Sequence, residues 1–156
     1  MTNLLEIVFE GINKGYIIQT LIRLISDAKC IVGVECTENT ELMYDGKLNM
    51  KALESALNFN GDVSILIKLQ DMKAGNAILP SVLLRLVKYD DQFDIDFNFD
   101  ASELKNLEVT LLMKYLHIYA KEIARDFNIE NFFGGMEPAS DKSTRYFTNQ
   151  IVGSLR

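Results

Sequence analysis

Two prolines, two cysteines and one histidine are all that 156 residues contain of the types that punctuate a chain, cross-link it or carry much of side-chain catalysis. With nine glycines besides, and no Ser/Pro/Gly-rich or single-charge run, nothing marks a linker, so the chain reads as one domain over 1–156. Cys30 and Cys36 flank a short apolar run without companion histidines, which fits neither a zinc site nor a redox CxxC and leaves two free thiols. No apolar stretch approaches the roughly 18 residues that span a bilayer. The N-terminus lacks the basic region and small-residue cleavage site of a secretory signal, so the expected location is the cytoplasm. Basic charge is short too. A net charge of −6 and a pI near 4.8 argue against a nucleic-acid or anionic-membrane surface, both of which need clustered Lys and Arg, and favour a basic partner.

The single His117 falls on the margin of a helical pattern without an orienting partner and is read as an ordinary surface or boundary residue. No Ser-His or Cys-His motif and no Gly-rich phosphate loop occurs. Asp94, Asp96, Asn98 and Asp100 have the alternate spacing of a calcium loop, but the positions requiring glycine and a bidentate glutamate are Phe99 and Lys105. The sequence therefore predicts no catalytic residue, no metal and no cofactor.

What is present is a hydrophobic content of 48%, enough for a core that hides roughly two-thirds of the unfolded surface. Leu4 to Glu10 reads as a strand, Lys14 to Lys29 as an amphipathic helix on Ile17, Leu21, Ile25 and Ala28, and Ile31 to Cys36 as a second strand. Asn49 is the N-cap of a short helix whose apolar face is Met50, Leu53 and Leu57. After Asn60-Gly61, the alternation of Val63, Ile65, Ile67 and Leu69 predicts a half-buried strand, and Gly75 to Pro80 a connection. Val82 to Phe99 then predicts a β-hairpin about Asp90-Asp91. Leu86 faces Ile95, Leu84 faces Phe97 and Val82 faces Phe99 on one side, and Arg85 faces Asp96 on the other. Its tip lacks the Asn-Gly or Asp-Gly of a tight turn, which suggests a longer loop. Asp100 to Glu103 matches a capping box, starting a long helix to about Phe127 that Asn131-Phe-Phe-Gly-Gly closes off. Tyr146 to Val152 is the expected last strand. The fold class is α+β, a mostly antiparallel sheet with helices packed on one face.

Charge is local rather than diffuse. Between Asp90 and Glu108 stand seven acids and one base, against fifteen of each elsewhere, so this segment carries the whole net charge. Asp90, Asp91, Asp94, Asp96, Asp100 and Glu103 are accordingly the candidate partner-binding residues, able to steer a cationic protein. The bland alternative is a solvated strand whose charges keep the sheet soluble.

The C-terminal segment NFFGGMEPASDKSTRYFTNQIVGSL differs in texture from the rest. Gly134-Gly135 permits a positive-φ turn or a close backbone approach, and Glu137, Asp141 and Arg145 could form an ion-pair cluster locking the loop. The stretch Gly-Gly-Met-Glu-Pro-Ala-Ser-Asp-Lys-Ser-Thr-Arg-Tyr-Phe-Thr resembles the C-terminal signature of small bacterial immunity proteins of polymorphic-toxin and contact-dependent growth inhibition systems. That resemblance implies a cytoplasmic protein, made beside its toxin, that binds the toxin domain and blocks its active site or substrate path. With the acidic segment, it implies a basic toxin, such as a nuclease, and no nucleic-acid or membrane partner. Two other readings stay open: a small-ligand or enzymatic domain with a site near Glu137, Asp141 and Arg145, and a structural or homo-oligomeric subunit.

Overall fold

Residues 4–37, 42–104 and 106–153 are described by a computed structural model of the chain. Its elements are β1 (Leu4–Glu10), α1 (Ile17–Ser26), β2 (Ala28–Cys36), β3 (Met43–Tyr44), β4 (Lys47–Leu48), α2 (Met50–Leu57), β5 (Val63–Ala74), β6 (Ala77–Tyr89), β7 (Gln92–Asp100), α3 (Val109–Asp126), β8 (Asn131–Met136), β9 (Arg145–Thr148) and β10 (Ile151–Val152). All but β3 and β4 join one antiparallel sheet in the order β10-β9-β8-β1-β7-β6-β5-β2. The expected α+β class holds.

Period-two alternation decides which side is covered. Leu5, Ile7 and Phe9 of β1, Phe93, Ile95, Phe97 and Phe99 of β7, and Leu84 and Leu86 of β6 are buried in one cluster with Leu21 and Leu24 of α1, Leu53 of α2 and Leu116, Tyr119 and Ile123 of α3. None of α1, α2 and α3 packs on the opposite side, where the loop after β8 lies over part of the sheet with its Ala139 amide bonded to Glu6. A polar network ties the helices together: Tyr119 donates to Asp27 at 2.6 Å, while Arg23 reaches Asp27 at 3.2 Å and Asp126 at 3.0 Å. Burial and the Asp27 carboxylate push the Tyr119 hydroxyl well above its ordinary pKa, so it stays a donor.

The hairpin forms in the register its side chains predict, with Leu86 opposite Ile95, Leu84 opposite Phe97 and Arg85 opposite Asp96; the ladder ends at Leu83 and Asn98, short of Val82 and Phe99. Its tip is tighter than expected. Tyr89 pairs directly with Gln92, and Asp90 and Asp91 take positive φ of 47° and 60° as a two-residue loop. Aspartate tolerates this left-handed region where most residues do not.

Four other boundaries move, each for a physical reason. The segment from Gly75 to Pro80 is no connection: Ala74 pairs with Ala77, and β6 runs on through Pro80. Proline lacks the N–H of a ladder, yet its place here is permissive, because the β6–β7 register begins only at Leu83 and the unpaired Asp71, at φ 51°, stands across from it on β5. The first helix ends at Ser26, because the Asp27 carbonyl is taken by the Lys73 amide, and Ala28 and Lys29 already belong to β2. The capping box does not start α3. Asp100 accepts from the Ser102 amide at 2.9 Å and hydroxyl at 2.7 Å, closing a 3-10 turn over Ala101–Glu103, and α3 begins at Val109 after Glu108. The expected final strand is two short ones, β9 and β10, turning at Asn149 with φ 50°.

Asn131 to Gly135 is likewise a strand and not a helix stop: β8 pairs with β1 from Asn131 to Met136. Gly134 and Gly135 serve close approach. A Cβ on Gly134 would meet the Phe147 ring at 2.5 Å and Ile7 Cδ1 at 2.6 Å, and one on Gly135 would strike the backbone of Thr144 and Arg145. Gly134→Ala should cost about 1–3 kcal/mol in urea unfolding, and Gly135→Ala at least as much, because backbone yields less readily than side chain. Losses under about 0.5 kcal/mol for both would contradict this packing.

Candidate functional site

The side of the sheet opposite α1, α2 and α3 is where the candidate residues meet. Three rows cross its central strands: Arg85, Asp96, Val8 and Phe133 in one, Leu83, Asn98, Glu6 and Gly135 in the next, and Val87 beside Asp94 with Glu10 following on β1. Between them and the loop after β8 lies a depression of about 370 Å³ lined by Glu6, Glu10, Asp94, Asp96 and Glu137, one guanidinium from Arg85, and apolar Val8, Val87, Phe133 and Pro138.

The predicted acids are distributed unevenly along β7. Asp90 and Asp91 are exposed at the hairpin tip. Asp94 is half-buried and bound, accepting from the Gly11 amide at 2.9 Å and the Tyr89 hydroxyl at 2.8 Å. Asp96 is only 5% exposed and accepts from Arg85 at 3.0 and 2.8 Å. Asp100 and Glu103 stand at the far end of the strand, Asp100 occupied by Ser102, and neither lines the depression.

The C-terminal residues are held differently from the expected ion-pair cluster. Among the described residues no salt bridge joins Glu137, Asp141 and Arg145. Asp141 accepts from the Ser143 amide and hydroxyl, and Arg145 donates to the Ala139 carbonyl at 2.8 Å with its guanidinium 3.8 Å above the Phe133 ring. The loop is fastened to β1 by the Ala139 amide, which donates to Glu6 Oε1 at 2.7 Å. Backbone bonds and cation–π stacking do the work assigned to charge pairs. Glu137 alone of the three reaches the depression.

His117 also departs from expectation. It is buried, stacked on Phe147 at 4.3 Å, and its Nε2 lies 2.6 Å from the Asn149 carbonyl, which can only accept. Burial lowers its pKa, so it is a neutral structural donor pinning α3 to the β9–β10 turn. Among the described residues no group of three or more His, Cys, Asp or Glu is placed to hold a metal ion, and no helix is long and apolar enough to cross a membrane.

Similarity to known proteins decides what this geometry belongs to. A family model described as PABL017 Cdi1I immunity protein matches residues 3–151. The chain belongs to this immunity protein family. It is also similar, at 31% identity over 100% of both chains and with a TM-score of 0.86, to a chain of the 1.75 Å crystal structure of the toxic C-terminal tip of CdiA from Pseudomonas aeruginosa in complex with immune protein. A comparison with curated proteins gives no match.

Sequence reasoning missed Glu6, Glu10 and the role of Arg85 in this immunity-family sheet. The alternation of Glu6, Val8 and Glu10 was visible, but that they lie beside Asp94 and Asp96 depends on β1 pairing with β7, about ninety residues away. The carboxylates pay for this crowding. Desolvation raises the pKa of Glu6, Glu10 and Asp96, with repulsion from Asp96 and Glu137 adding to it at Glu6, from Asp94 at Glu10, and from Asp94 and Glu137 at Asp96. The Ala139 amide and Arg85 oppose the shifts without cancelling them.

A carboxyl protonated more readily in the folded chain destabilises the fold while ionised, and that cost is relieved as pH falls through its raised folded value. Asp100 and Asp141, held below their ordinary values by Ser102 and Ser143, act oppositely and lose their contribution at lower pH still. His117, with its lowered pKa, works the other way as pH falls through the imidazole range, so the test uses a His117→Gln background that keeps a donor for Asn149: there the melting temperature should rise as pH falls from neutrality toward the carboxylate range and fall on further acidification. A monotonic fall from neutrality in a calorimetric series would contradict the arrangement.

Proposed function

We propose that the chain binds the toxic C-terminal tip of a cognate CdiA protein in the cytoplasm and neutralises it by covering its active site or the path of its substrate. The observation that carries this reading is similarity along the entire chain, at 31% identity, to a chain solved in a complex of toxic tip and immune protein. Location of the net charge in one hairpin and the segment running on from it to Glu108 supports a basic toxin, of which a nuclease with a cationic substrate groove is one kind. The ligand or enzyme reading at Glu137, Asp141 and Arg145 gains no support, since Arg145 is already engaged by Ala139 and Phe133.

Co-expression with the toxin tip encoded beside it should restore growth, and the two should purify together; a chain that neither protects nor binds would sink the proposal. Asp90, Asp91, Asp94 and Asp96 are the proposed contacts. Because Asp90 and Asp91 stand exposed at the tip, they contribute chiefly to encounter. The double variant Asp90→Asn, Asp91→Asn keeps residues suited to positive φ. It should slow association by about threefold to tenfold at low salt, with little change in dissociation and no difference at about 1 M salt, as measured by surface plasmon resonance.

A further inference from the structure

The sheet face opposite α1, α2 and α3 carries an arrangement that folding alone disfavours. Glu6 and Glu10 on β1 and Asp94 and Asp96 on β7 crowd one side of two adjacent central strands, and Glu137 closes the rim. Like charges on neighbouring strands destabilise a sheet. A face kept only for solubility interleaves both signs, whereas Arg85 is the one cation lining this depression among the described residues.

Hydrogen bonding supplies an independent observation. Asp96 and Glu6 are 5% and 8% exposed. Both Arg85 bonds go to Oδ2 of Asp96, and the Ala139 bond goes to Oε1 of Glu6. Among the described residues no donor reaches Oδ1 of Asp96 or Oε2 of Glu6. Neither oxygen is sealed off, because among the described residues no fully buried side-chain N or O atom is left without a partner. Both residues line the depression, so each carboxylate keeps an oxygen that a donor from outside the chain can reach.

We propose that the toxin docks on this face and presents to the depression an arginine or lysine, whose donors bond Asp96 and Glu6 and whose aliphatic stem packs on the half-buried Val8 and Val87. The partner is thereby a protein with a protruding cationic side chain. A metal ion does not fit, because these carboxylates are not placed to hold one. Nor does an inserted helix, about 10–12 Å across, in a depression of about 370 Å³. The proposal rests on the neutralisation reading and names its site.

Glu6→Gln and Asp96→Asn keep shape and an acceptor oxygen for Ala139 and Arg85 while removing charge. Thermal unfolding of each free variant and calorimetric titration with the cognate toxin tip at several salt concentrations test the proposal together. Each variant should unfold at or above the parent temperature, yet bind the toxin at least tenfold more weakly with a shallower salt dependence. Val8→Lys, which places an ammonium in the depression from within, should stabilise the free chain and block the toxin. Undiminished binding by all three variants would overturn the docking site and leave neutralisation standing. Lower unfolding temperatures matching the loss of binding would overturn it in favour of a structural role. A parent chain that does not bind the toxin would overturn both.

Discussion

The first strand lies between two neighbours that the chain makes much later: β1 pairs with β7 on one edge and with β8 on the other. Removing it would separate β8, β9 and β10 from the rest of the sheet. Its core face brings Leu5, Ile7 and Phe9 against the helices, and its opposite face holds Glu6 to the Ala139 amide. The two strand pairings close loops of roughly ninety to 130 residues, an entropic cost that grows only slowly with length but must be met before the contacts form. The hairpins β5–β6 and β6–β7 close locally, whereas the β1–β8 ladder joins the two ends of the molecule. The glycines facing β1 follow from the same constraint, since β9 and Phe147 lie close against β8 where Gly134 and Gly135 leave room.

A sheet covered by helices on one side has two faces with different obligations. Packing governs the covered face, where Phe97 stands edge-on to Tyr119 at 6.4 Å and a lost methylene leaves a void. On the other, electrostatics dominates, and the carboxylates beside Arg85 raise one another's affinity for protons. Proteins near a stability threshold tolerate such local cost where a site requires it. A buried pair such as Arg85 and Asp96 adds specificity of geometry more dependably than stability.

What was legible in the sequence is what neighbours in the chain decide. The β6–β7 register followed from Leu84, Leu86, Ile95 and Phe97 together with Arg85 and Asp96, because two faces had to agree at once. Asn49 announced α2, and its side chain does accept from the Ala52 amide. Elsewhere two local signals compete, and the more conspicuous one misleads. Pro80 suggests a break that the open register beside it makes unnecessary, and Asp100 looks like a helix cap because an aspartate that closes a short turn has the same sequence signature. The site was half-legible. Asp94 and Asp96 stood out through charge, while Glu6 and Glu10 became their neighbours only through a long-range pairing that no local pattern encodes.

Strict alternation along β1 and β7 has a consequence for how such a protein can change. Glu6, Val8 and Glu10 point away from the interior that Leu5, Ile7 and Phe9 build, so each odd residue answers to the core and each even one to whatever lies outside. A substitution at Val8 or Glu10 leaves the inward jigsaw untouched, whereas one at Glu6 must keep an acceptor for the Ala139 amide. A lineage of such chains can then rewrite its outward face residue by residue, on a scaffold whose interior need never be renegotiated.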